Sequence, residues 1–204
     1  MQYLSQQQQA LIPIAAFAAA GNIVQLTQAL NQGLEHGLSI NEIKAVLIQT
    51  YAYAGFPRSL NALNTFMQVL EKRKAQGIED TEGKTSSALP SDYQALKNGA
   101  EIQTKLVGKP VNGTLFEFAP EIDEYLKAHL FGDIFSRDVL SWQDREIATI
   151  SMLATMNGTD SQLQSHVNIS LNIGISHQQL QNIQQVLSQS VSDEIGEKLA
   201  KILN

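Results

Sequence analysis

One histidine and two adjacent charged residues carry most of the chemistry that this sequence offers. His166 stands in QLQSHVNISLNIGIS, and Arg145 and Glu146 stand in LSWQDREIATISMLATMNG. An imidazole, with an unperturbed pKa of ~6.5, exchanges protons near neutral pH. A carboxylate beside it tunes that exchange, and a guanidinium fork matches a carboxylate. Together, facing one another across a helical hairpin, they could do proton chemistry. The structural alternatives are a core histidine and a first-turn surface ion pair of small value.

Two helices must position these groups. The first opens at Ser141 with Asp144 three residues on, a capping-box spacing. It keeps helical period through Ile147, Ile150, Leu153 and Met156, and it ends at Asn157-Gly158. The second carries Leu163, Val167 and Leu171 on one stripe, with His166 at its border. If the hairpin turns at Gly158, Glu146 lies twelve residues before the turn and His166 eight after it. At 1.5 Å per residue the stagger is roughly 6 Å, so contact requires an oblique crossing.

Several further residues are candidates for a pocket. His129, Asp133 and Arg137 follow one another at four-residue spacing, which makes one face of a helix and a rim, or else a solvated surface. Trp142 is placed to wall a pocket or fill an interface. Tyr53, with Tyr51, brings a hydroxyl donor to the end of a third helix, where aromatic packing is the commoner fate. No metal set emerges: the four histidines are scattered, and no HxxxH or HxxE pair is present. No phosphate-binding glycine loop is present either.

Composition narrows the class. With 204 residues, 43% hydrophobic and 17% charged, the chain reads as globular. The net charge of −6 and the absence of any basic run longer than EKRK argue against a nucleic-acid surface and a polybasic membrane patch. The absence of cysteine removes disulfides, dithiol redox chemistry and thiolate ligands. The apolar run near the N-terminus lacks a basic lead-in and contains Pro13, so the expectation is a cytoplasmic protein without a leader or membrane span.

The helical pattern continues along the chain. Helices are expected over about 5–20, 22–36, 39–53 and 57–76, followed by a polar linker over 77–91. Ser91 is expected to cap a helix over about 92–106. Pro120 is expected to open another, broken near Gly132, and capped helices follow Ser176 and Ser192. No strand pattern of useful length appears, so the fold class is all-α. The segment from Gly21 aligns without gaps with the segment from Gly158, pairing Leu26 with Leu163, Asn31 with Asn168, Leu34 with Leu171 and Ser39 with Ser176. One helical unit is therefore used twice, with Ala29 where the second copy has His166. The expected organisation is a first repeat over 1–76, a linker with one helix over 77–115 and a second repeat over 116–204.

The segments FAPEIDEYLKAHLFGDIFSR, DREIATISMLATMNG, QLQSHVNISLNIGIS and YAYAGFPRSLNAL resemble the carboxymuconolactone decarboxylase family in tandem-repeat form. The resemblance implies an alkyl hydroperoxidase D-like helical bundle. It implies a cofactor-independent enzyme acting on a small acid or lactone, with His166, Glu146 and Arg145 catalytic; His129, Arg137, Trp142 and Tyr53, singled out by spacing and position, are the expected substrate-binding residues. Family members assemble as trimers or hexamers of the single repeat, which for a tandem chain implies a homo-oligomer, most simply a trimer. A second branch of the family uses a CxxC pair for peroxide chemistry; those positions fall here on Thr159 and Gln162. A binding or assembly protein that kept only the fold is the remaining alternative.

Overall fold

A computed structural model describes residues 3–204. The described residues form helices and no strand. In order these are α1 (Gln6–Ala20), α2 (Ile23–Glu35), α3 (Ile40–Ala54), α4 (Phe56–Ala75), α5 (Ala95–Val107), α6 (Thr114–Phe118), α7 (Pro120–Tyr125), α8 (Trp142–Thr155), α9 (Asp160–Asn172), α10 (His177–Ser190) and α11 (Asp193–Leu203). A π-helical stretch, Leu126–Ile134, continues α7 without a break. No described helix is long and apolar enough to cross a membrane.

The duplication extends to four helices. Helix α2 starts at Ile23 and ends at Glu35; α9 starts at Asp160 and ends at Asn172, a constant offset of 137 residues. The same offset relates α1 to α8, α3 to α10 and α4 to α11, within a residue or two at most ends. The shared starts have a shared cause. Ser39 with Glu42 and Ser176 with Gln179 are complete capping boxes, each satisfying backbone N–H groups that the first turn leaves open.

Helix α1 packs against its counterpart α8 at the centre. Its alanines, Ala15, Ala16, Ala18 and Ala19, are buried along with Ile12 and Ile14, so it is apolar on nearly every side. That is the signature of a central helix, and the small side chains let neighbours come close. Pro13 lies inside α1, which continues through it.

Two expectations change. The helix expected from Ser91 begins at Ala95, because Tyr93 N–H bonds Pro90 O in a turn that occupies the intervening residues. Gly132 does not break the helix from Pro120. It lies inside the π-helical stretch, and its role is close approach: a Cβ there would sit 2.3 Å from Ala95 O. Across the same contact, a Cβ on Gly99 would sit 1.8 Å from Lys127 O. Helix α5 and the π-helical stretch thus touch backbone to backbone, and Tyr93 Oη donates to Gly132 O at 2.6 Å beside them.

Gly99→Ala and Gly132→Ala must each push these backbones apart, and overpacking of this kind costs about 1–3 kcal/mol. Urea denaturation checks this: each variant is expected to unfold at lower denaturant than the parent. An unchanged midpoint for both would show that the two elements do not meet at these glycines.

Candidate functional site

The hairpin of α8 and α9 brings Glu146 and His166 into direct contact. His166 Nδ1 lies 2.7 Å from Glu146 Oε2, with Glu146 fully buried and His166 8% exposed. The side chains thus meet in spite of the sequence stagger. Ser141, which accepts from Asp144 N–H, sets the start of α8, and Thr159 and Gly158 set the return into α9. The second oxygen, Glu146 Oε1, is buried without a hydrogen-bond partner among the described residues. Buried carboxylate oxygens are normally satisfied, so this one marks an unmet demand at the site.

Tyr53, from α3, stands edge-on to the His166 ring at 5.8 Å between centroids and 76° between planes. Thr149 and Tyr53 share a hydrogen bond of 3.2 Å. Burial pushes the Tyr53 hydroxyl well above the usual tyrosine range; the nearby Glu146 charge adds to this, and the Thr149 hydrogen bond partly offsets it. The phenol, which accepts from Thr149 Oγ1, is therefore neutral across the physiological range.

Arg145 is buried too, but it faces elsewhere. Its Nη1 donates to Gln49 Oε1 at 3.0 Å and its Nη2 to Arg137 O at 2.8 Å. Gln49 Nε2 donates in turn to Thr149 Oγ1 at 2.9 Å and to Arg145 O at 3.0 Å. The Arg145 guanidinium thus connects to Tyr53, and through it to the His166 ring, by way of Gln49 and Thr149. Burial pushes its guanidinium down to about 10, which leaves it charged at neutral pH.

The outer candidates take other positions. His129 and Arg137 are exposed. His129 Nδ1 pairs with Asp133 at 2.7 Å, and Arg137 Nε donates to Asp133 O at 3.4 Å. The His129 ring lies 5.4 Å from that of Tyr51. Trp142 Nε1 donates to Phe135 O, bracing the end of the π-helical stretch against α8. Gln49 was not legible as part of the site. Its signal is an amide in the middle of the apolar run IKAVLIQTYAYA, where full burial requires partners.

The duplication supplies a second, altered copy of the same arrangement. At the 137-residue offset Glu146 corresponds to Gln9, His166 to Ala29, Gln49 to Val186 and Tyr53 to Ser190. All four counterparts line one cavity of about 260 Å³. Where the second repeat has an imidazole and the first a phenol, the counterpart positions have a methyl and a hydroxymethyl, and space remains between them.

The model of the carboxymuconolactone decarboxylase family matches residues 2–66 and 120–202. The chain is also similar to the 4-carboxymuconolactone decarboxylase of Acinetobacter baylyi (strain ATCC 33305 / BD413 / ADP1). The two are 27% identical over 97 residues, 46% of this chain and 72% of the relative.

The Tyr53 environment has a measurable sign. Its folded pKa lies above the unfolded value of 10.0, so its contribution is fully present below about pH 10 and is lost as pH rises further. Spectroscopic titration is expected to show Tyr53 ionising only well above pH 10, and Tyr53→Phe is expected to remove part of the alkaline loss of stability. Ionisation of Tyr53 at its unfolded value of 10.0 would contradict the burial of its hydroxyl.

Proposed function

The chain belongs to the carboxymuconolactone decarboxylase family, and from that premise we propose that it is a cofactor-independent enzyme doing acid–base chemistry on a small lactone or carboxylic acid. The observation that carries the reading is the buried 2.7 Å pairing of Glu146 with His166. A carboxylate on Nδ1 fixes the orientation and tautomer of an imidazole and leaves Nε2 to meet a ligand. In a decarboxylation the bond from the carboxylate carbon breaks and its electron pair passes into the adjoining carbonyl system. The enolate so formed takes a proton at carbon. His166 is the donor in this reading, Glu146 supports the imidazolium form, and Tyr53 presents a neutral ring edge that holds the imidazole in place.

The similarity to a 4-carboxymuconolactone decarboxylase supports the substrate class. The peroxidase branch finds no support in this chain, since Thr159 and Gln162 cannot form its dithiol. A homo-oligomer, a trimer by the family resemblance, is part of the same proposal. What supports it is helix α4, where Phe56, Leu60, Leu63, Met67 and Leu70 repeat at alternating four- and three-residue steps. Phe56, Leu60 and Met67 on this seam are each more than half exposed.

His166→Gln and Glu146→Gln are each expected to lower turnover of lactone acids by about 10²–10⁴-fold, the usual worth of a positioned acid or base, while the helical circular dichroism stays intact. Full turnover in His166→Gln would sink the mechanism. A folded parent that binds such acids without turning them over would favour the binding-protein alternative. Light scattering tests the assembly: Leu60→Glu combined with Met67→Glu is expected to shift an oligomer to the single chain, and a monomeric parent would refute it.

A further inference from the structure

We infer that Arg145 forms the base of a second small-molecule site, a cavity that binds the carboxylate of a small acid with an apolar body, separate from the Glu146–His166 pair. The first observation is electrostatic. Arg145 is 2% exposed, and no carboxylate lies within ion-pair distance of it among the described residues. Its partners are a neutral amide, a backbone carbonyl and the ring of Phe135, 5.8 Å from the guanidinium carbon. Its Nε is buried and unpartnered. The neighbouring Asp144 is engaged elsewhere, accepting from Gln8 and Ser141. A buried cation without a counter-charge is expensive to keep, and an anion beside it removes the expense.

The second observation is the space. Arg145 lines a cavity of about 380 Å³, within the range of small-molecule pockets. Its other walls carry the cations Lys44 and Arg137, the apolar side chains of Ile48, Ile134 and Val139, and Ser86 of the linker. The one acidic residue on the walls, Asp133, is already held by His129. Lys44 lies 3.4 Å from the exposed Glu82, a solvent-screened contact that it can exchange. Three cations against one paired carboxylate select an anion, and the isoleucines and the valine select a compact hydrocarbon body behind it. Glu146, His166 and Tyr53 do not line this cavity. The inference therefore stands whether or not the acid–base reading does.

Calorimetric titration with benzoate, and with benzamide as its uncharged match, tests the site. Benzoate is expected to bind saturably and benzamide at least about tenfold more weakly, the worth of a charge-assisted pair. Arg145→Met is expected to abolish the difference between the two. Val139→Trp, which fills the cavity and leaves the cations in place, is expected to abolish benzoate binding, and it serves as the second test should Arg145→Met fold poorly. His166→Gln is expected to bind benzoate like the parent, even if it destroys turnover. The inference is overturned if benzoate does not bind, if both probes bind alike, or if His166→Gln removes benzoate binding while Val139→Trp leaves it unchanged.

Discussion

The structure depends on keeping a carboxylate out of water. Glu146 has no exposure, and a carboxylate so placed needs a partner to hold it there. His166 is that partner, and its ring can reach Oε2 only in one register of α8 against α9. The Ser141 cap, the turn at Gly158 and the packing of α8 on α1 set that register. A shift of one helical turn moves a side chain by about 5.4 Å, twice the length of the hydrogen bond, so the fold and the site are specified together.

Helix α8 also separates two chemistries that look like one in sequence. Arg145 and Glu146 are neighbours, but successive helical residues point about 100° apart. Glu146 turns towards α9 and Arg145 towards α3 and the residues that follow the π-helical stretch. Gln49 and Thr149 stand between them and satisfy one another. The two charges sit back to back, each buried and each joined to Tyr53 by a different route.

The helices, their caps and the duplication were legible because they rest on local signals: serines three residues ahead of a glutamate or glutamine, turn glycines and apolar stripes. The pairing of Glu146 with His166 was half legible. Spacing alone leaves a stagger of roughly 6 Å, and whether the two side chains span it is settled only in three dimensions. Gln49 was hidden because its partner Arg145 is 96 residues away, and nothing local reports a contact between α3 and α8. Gly132 read as a breaker because a glycine's local effect is visible in sequence and its packing role is not. Arg145 and Glu146 read as one charged pair because the sequence shows their adjacency along the chain and not the different neighbours they face.

The vacated cavity between Gln9, Ala29, Val186 and Ser190 shows how the duplication has been used. Each of the two sites draws residues from both repeats: Glu146 and His166 come from one, Gln49 and Tyr53 from the other. Two identical units packed about a two-fold axis would carry two identical sites, and any change to one would be copied into the second. Joining the units in a single chain removes that obligation. One half can then supply the buried carboxylate–imidazole pair and the other the wall against which it is held, so the two copies are complementary parts of one arrangement.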